Sequence, residues 1–225
     1  KVADSPISGL RLLGSPVVDG VILPRHPFDP TAPEISKDIP VIIGTDFNEF
    51  SFENTPLTEQ EARDILTSKY GDGTDKYIET FKRVYPDKTP REMVSIDLMF
   101  TPSAIRQSCL KSDQNGAPVY SYLFTWKPET NYLGASHGME LPFMMNNVML
   151  QSEMTGNTPE AHILEDLMSS AWISFVKTGN PNTKGLPEWV PFTSSKQATM
   201  IFDNNCYIRY NNNDVKELYG LTDIK

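Results

Sequence analysis

The chain has 225 residues, enough to bury a substantial core as one or two domains, and its 39% hydrophobic and 10% aromatic content fits an ordinary globular protein. A formal charge of −9, with Lys and Arg scattered and never forming a basic stripe, argues against nucleic acid and against an anionic membrane surface as partners. No apolar run approaches the roughly 20 residues that a membrane span requires.

Helix and strand signals alternate along the chain, which predicts an α/β fold. Val17-Val18-Asp19-Gly20 followed by Val21-Ile22-Leu23-Pro24 reads as a short strand and turn. Pro40-Val41-Ile42-Ile43-Gly44 is a β-branched run between Pro and Gly, the pattern of a strand buried on both faces of a parallel sheet. Thr58-Glu59-Gln60-Glu61 has the form of a capping box, and Ala62, Ile65, Leu66 and Tyr70 follow at helical spacing up to Gly71. Tyr77, Ile78, Phe81 and Val84 mark a second helix, ended by Pro86. Met93, Ile96 and Phe100 begin a third, which Pro102 must kink or break before Ile105 and Cys109.

Val119 to Trp126 is the next strand. The strongest helix signal follows, with Thr158 as N-cap, Pro159 at the first helical position and Gly179 at the end. Ile163, Leu164, Leu167, Met168, Ala171, Trp172, Phe175 and Val176 form its apolar stripe. Thr199-Met200-Ile201-Phe202 is a last strand, and the Asn run at 211–213 is loop. There is no internal repeat, and no linker divides the chain.

Cys109 and Cys206 have no ligand-like spacing and are either a pair formed in an oxidising compartment or two buried free thiols. Lys1-Val2-Ala3-Asp4 is neither an initiator Met nor a signal peptide, so the start is expected to be a boundary or cleavage point. No Asn-x-Ser/Thr acceptor occurs, and glycosylation therefore gives no hint of secretion.

In open parallel sheets, functional groups gather in loops beyond the carboxyl ends of strands. Glu49 lies six residues after Ile43, and His137 lies eleven after Trp126, in the small-residue turn Gly134-Ala135-Ser136-His137-Gly138. Both then belong to one edge of the sheet, beyond two different strands. A carboxylate that accepts from an imidazole Nδ1–H fixes the tautomer and supports the imidazolium, leaving Nε2 free to take a proton. That is half of a Ser-His-acid relay, in the acid-then-His order of α/β-hydrolases.

The turn also satisfies Gly-x-Ser-x-Gly, which would make Ser136 the nucleophile and leave only His162 downstream as base. A nucleophile elbow needs a strand running directly into it and a helix directly after it. Here the loop Lys127 to Leu133 precedes and Pro142 follows, so Ser136 is set aside. His26, between Arg25 and Pro27, reads as structural or exposed, and His162 as a capping or surface residue in the first turn of its helix. Nothing has metal-ligand spacing or the form of a phosphate-cradling glycine loop.

These segments resemble the C-terminal part of type-B carboxylesterases, the family that includes the cholinesterases. Pro16-Val17-Val18-Asp19-Gly20 with Leu23-Pro24 is similar to the family's entry into this half, and Asp97-Leu98-Met99-Phe100-Thr101-Pro102 to one of its helices. Ile43-Gly44-Thr45-Asp46-Phe47-Asn48-Glu49 resembles the segment that carries the acid of the triad, and Gly134 to Phe143 the loop that carries its histidine. Ala171-Trp172-Ile173-Ser174-Phe175-Val176-Lys177-Thr178-Gly179-Asn180-Pro181-Asn182, then Pro187-Glu188-Trp189-Val190-Pro191-Phe192, is the most specific match. Asn48 stands where the family has Asp, and Phe50 where it has the Gly after the acid, which alters the pocket beside Glu49.

The resemblance implies that residues 1–225 are the C-terminal part of a single α/β-hydrolase domain, a mostly parallel sheet flanked by helices. It implies Glu49 and His137 as catalytic acid and histidine, with Asp46 the fallback acid. The nucleophilic Ser and the oxyanion loop would lie on an N-terminal part absent from this chain, and that fragment is the expected partner. The implied substrate is a small-molecule carboxylic ester of moderately apolar character, with no cofactor. The alternative is an adhesion or scaffold module that has lost catalysis, which a missing triad residue would betray.

Overall fold

A computed structural model describes residues 16–51, 53, 55–128 and 134–221. The chain start Lys1 to Asp4 and most of the loop that precedes the histidine turn fall outside the described residues. The strands are β1 (Val41–Asp46), β2 (Val119–Phe124), β3 (Ala198–Phe202) and β4 (Tyr207–Tyr210). The helices, in chain order, are α1 (Glu59–Tyr70), α2 (Thr74–Val84), α3 (Pro90–Ser95), α4 (Phe100–Ser112), α5 (Leu141–Met144), α6 (Ser152–Thr155), α7 (Pro159–Thr178) and α8 (Asn213–Leu218).

Among the described residues the sheet runs in the order β1-β2-β3-β4. β1 pairs parallel with β2 from Val41↔Val119 to Asp46↔Phe124, and β2 pairs parallel with β3 from Ser121↔Thr199 to Phe124↔Phe202. β4 returns antiparallel along β3. The first crossover carries α1–α4 and the second carries α5–α7, so this is an α/β sheet in which the carboxyl ends of β1, β2 and β3 share one edge.

Helices cover both faces of the sheet. Side chains alternate along a strand, and Tyr120 and Tyr122 of β2 meet Phe175 and Trp172 of α7 in edge-on contacts of 6.1 and 5.4 Å. On the opposite face Thr45 hydrogen-bonds Thr101 of α4 between hydroxyls, at 2.8 Å. The Asn180–Trp189 segment acts as a staple. Asn182 bonds both the N–H and the carbonyl of Trp189, and the fully buried Trp189 donates from Nε1 to the carbonyl of Ser121 at 3.1 Å.

Local sequence explains most boundaries. Thr58 and Glu61 close a capping box on α1, and Thr89 and Glu92 close a second on α3. Thr158 caps α7 by accepting from Ala161, and Gly179 ends it in the left-handed conformation, with φ 74°.

Several expectations need correction. The segment Val17–Pro24 forms no strand, because Asp19 Oδ1 accepts from the N–H groups of Val21, Ile22 and Leu23 and commits them locally. The third helix does not run through Ile96 to a break at Pro102. It ends at Ser95, and Asp97 starts α4 afresh by accepting from Met99, Phe100 and Thr101. Pro102 then falls in the first turn of α4, where its missing N–H costs nothing. Asn212 in the expected loop is the N-cap of α8, and β4 went unpredicted. The α7 stripe is narrower than the sequence suggested: Ile163 and Val176 are 60% and 82% exposed, being rotated about 100° from Leu164 and Phe175. β1 is only partly buried over Val41–Gly44, since its second edge has no partner strand among the described residues.

Gly44 is needed for space and not for its backbone angle. A Cβ there would fall 2.1 Å from a ring carbon of Tyr122, which is itself wedged against Trp172 and Phe202. Gly44→Ala is therefore expected to destabilise the fold by about 1–3 kcal/mol through overpacking, measured as a lowered denaturant midpoint at unchanged slope.

Candidate active site

Beyond Asp46 the two chains of the β1–β2 ladder part and then meet again. Phe47 donates to the carbonyl of Phe124 at 2.9 Å, Asn48 to that of Ala135 at 2.9 Å, and His137 to that of Glu49 at 2.8 Å. Glu49 and Ser136 form a parallel bridge of their own. The acid loop and the histidine turn are thus zipped together by backbone hydrogen bonds before any side chain is considered.

Two side chains reinforce that junction. Asn48 is buried, accepts from Ala135 N–H at 3.2 Å and donates from Nδ2 to the Oγ and carbonyl of Ser95, at 2.9 and 3.3 Å. It therefore ties the histidine turn to α3. Asp46 accepts from Gly138 N–H at 3.0 Å through Oδ2.

Glu49 sits at φ +34°, a left-handed value that non-glycine residues seldom adopt. This conformation folds its carboxylate back over its own loop. Oε1 accepts from the N–H of Asp46 at 2.9 Å, and Oε2 lies 2.6 Å from His137 Nδ1. With a carboxylate on one side, Nδ1 is the donor. Burial pushes the Glu49 carboxyl above its ordinary value, and the hydrogen bonds from Asp46 and His137 partly counter this. The Glu49 side chain is 7% exposed and that of His137 56%, so the imidazole presents its Nε2 edge outward at the rim of the sheet.

Phe50 covers one face of the imidazole, stacked at 4.6 Å between centroids, and Phe100 of α4 lies 6.3 Å from the same ring. The residue that replaces the family's Gly therefore packs on His137. Gly138, next to His137 in the turn, joins Leu141, Pro142, Met145, Asn147, Gln151 and Met154 in lining a mostly apolar cavity of about 240 Å³.

The remaining candidates fall elsewhere. Asp46 touches the turn beside His137 and not its ring. Ser136 is buried. The His162 ring is held between Glu165 and Asn157, each at 2.8 Å, at the start of α7. His26 is exposed. Cys109 and Cys206 are both free thiols, pushed up by burial. The sequence does not announce Asn48 and Asp97 as residues that fix the loop, Asp97 by donating its N–H to the carbonyl of Phe47 at 2.8 Å, although Asn48 is a departure from the family pattern.

Helices on both faces of a mostly parallel sheet, with an acid and a histidine meeting beyond the ends of two neighbouring strands, define the α/β-hydrolase class. The sequence profile of the Carboxylesterase family matches residues 7–218, and the chain belongs to that family. It is 29% identical over 211 residues to para-nitrobenzyl esterase of Bacillus subtilis (strain 168), covering 88% of this chain and 41% of that protein. It is 30% identical over 219 residues to human cocaine esterase, covering 80% of this chain and 36% of that protein. Among solved structures it is similar to an esterase from Clostridium hathewayi described as hydrolysing aliphatic aromatic polyesters, with a TM-score of 0.75 and 32% identity over 84% of this chain and 38% of that one. The chain thus spans about two fifths of the length of these relatives.

Replacing Asn48 with Ala removes the acceptor of one buried N–H and the donor to Ser95. The expected cost is about 1–3 kcal/mol, read as a lower denaturation midpoint, with faster hydrogen exchange at Ala135 than at amides of the sheet centre.

Proposed function

We propose that this chain is the C-terminal part of one α/β-hydrolase domain that cleaves carboxylic esters through an acyl-enzyme. Glu49 and His137 are its acid and base, and the N-terminal part supplies the nucleophilic serine. The observation that carries this reading is the 2.6 Å contact between Glu49 Oε2 and His137 Nδ1, made at a rim where the other edge of the ring is open. A serine hydroxyl brought to Nε2 loses its proton to His137 as it attacks the ester carbonyl. His137 then returns that proton to the departing alcohol. Water repeats the sequence on the acyl-enzyme. Glu49 holds the imidazole in the tautomer with Nε2 unprotonated and stabilises the imidazolium that forms. Backbone N–H groups of the N-terminal part would receive the oxyanion.

The surface supports a partner. β1 offers an unpaired edge among the described residues, a surface that natural proteins usually cover. Leu141 and Met145, which share a cavity with Gly138, are 47% and 65% exposed, and Met149, Leu150, Ile163 and Val176 are exposed as well. An N-terminal part of the same domain would bury such surfaces. The apolar cavity beside Gly138 and the ring of Phe50 favour esters of moderately apolar character. The relatives are named as esterases, and both checkable triad positions are filled, so a non-catalytic adhesion or scaffold module is not favoured.

In the full-length protein a fluorophosphonate probe should label one serine outside residues 1–225, located by mass spectrometry; no labelled serine, or labelling of Ser136, overturns the reading. His137→Ala is expected to reduce kcat by at least about 10⁴-fold, and Glu49→Gln by roughly 10³–10⁴-fold, with folding intact by circular dichroism. A wild-type rate in either variant removes that residue from the mechanism.

A further inference from the structure

Asp46 has a role that the relay itself does not require. It is the last residue of β1, its side chain is 2% exposed, and its Oδ2 holds the N–H of Gly138 at 3.0 Å. Its second oxygen, Oδ1, is buried and receives no donor. Glu140, three residues beyond His137, is the carboxyl neighbour of Asp46, and its Oε2 is likewise buried without a donor. Two ionised carboxylates offer only acceptors. Glu49 adds a third carboxylate nearby, but both of its oxygens are occupied, by Asp46 N–H and by His137.

One hydrogen resolves this arrangement. We propose that Asp46 is a positioning residue that stays protonated at neutral pH. Its hydroxyl donates to Glu140 and its carbonyl oxygen accepts from Gly138, clamping the turn that carries His137 to the end of β1. The clamp grips the chain at both residues 138 and 140, immediately after the proposed base. It also leaves Glu49 as the carboxylate that faces the imidazole as an anion. The part played by His137 rests on the esterase reading above; the protonation of Asp46 does not.

The surroundings agree. Burial, then the hydrogen bond and charge of Glu140, then the charge of Glu49, push Asp46 up to about 11, against a weaker pull from the Gly138 N–H. The titratable groups facing it are Glu140 on the turn, Glu49 on its own loop and Tyr122 on β2, with His137 and Asp97 acting on Glu49. Burial and the three neighbouring carboxyls hold the Tyr122 hydroxyl well above its ordinary value.

The sign of the linkage is fixed. An unfolded Asp releases its proton near pH 4, whereas burial and the neighbouring carboxyls make folded Asp46 hold its proton to far higher pH. The folded state therefore binds the extra proton across that window, and stability falls as pH rises through it. Asn reproduces the protonated acid, with one donor and one acceptor, and cannot titrate. Leu reproduces only the shape.

The test uses the full-length protein and two readouts. Thermal unfolding is followed from pH 5 to pH 10 for wild type and Asp46→Asn. The expected result is that the Asn variant loses markedly less stability toward alkaline pH than wild type does. Identical profiles would overturn the protonated state of Asp46. In parallel, ester turnover at pH 7 is expected to fall at least tenfold in kcat at unchanged KM for Asp46→Leu, and to be largely recovered in Asp46→Asn. A wild-type kcat in Asp46→Leu, or equal losses in both variants, would overturn the positioning role. The unfolding titration reads no activity, so a protein that hydrolyses no ester and takes no fluorophosphonate refutes the esterase reading alone.

Discussion

The short bond between Glu49 and His137 is the interaction on which the rest of the site depends, and it is the product of backbone pairing more than of side-chain attraction. A carboxylate and an imidazole left on two mobile loops would meet only at a considerable entropic cost. Here the parallel register of β1 and β2 resumes past the strand ends, through Asn48 to Ala135 and His137 to Glu49. The loops arrive already aligned, and the side chains have little freedom left to lose. The positive φ of Glu49 is a local strain that this double pairing sustains.

Around that junction the supporting groups are polar and buried, and they are arranged in two tiers. Asn48 connects the acid loop to α3, Asp97 connects it to α4 by donating its N–H to the carbonyl of Phe47 and accepting from Thr101, and Asp46 connects the end of β1 to the histidine turn. Apolar side chains then limit access: Phe50 and Phe100 lie against the imidazole, and Leu141 and Met145 line the cavity beside Gly138. A concentration of buried carboxyls beside one histidine is an expensive arrangement for stability alone. Natural proteins tolerate such local conflicts mainly where function resides, which is in keeping with the role proposed for this site.

Much of the fold could be read in the chain because its signals were local. The cap, Pro and Gly of α7 (Thr158, Pro159 and Gly179) lie within or next to the helix they delimit, and the β-branched run of β1 needs no partner to be recognised. Glu49 and His137 were visible through their distance from strand ends and through the segments that resemble the family. What escaped was set by contacts remote in sequence or by a side chain competing with a pattern. The apolar spacing from Met93 to Phe100 suggested a continuous helix, but Asp97 offered three N–H groups a better acceptor and restarted it. β4 is a half-exposed edge strand with little alternation to betray it. Gly138 and Asp46 are 92 positions apart, and nothing in either neighbourhood announces the bond between them.

The account turns on whether the contact between Glu49 and His137 faces a serine delivered by the rest of the domain. A crystal structure of the full-length protein carrying a fluorophosphonate adduct measures this directly. It should show His137 Nδ1 within hydrogen-bonding distance of Glu49 and Nε2 within reach of the modified serine oxygen. A serine adduct far from Nε2, or a Glu49 turned away from the imidazole, would contradict it.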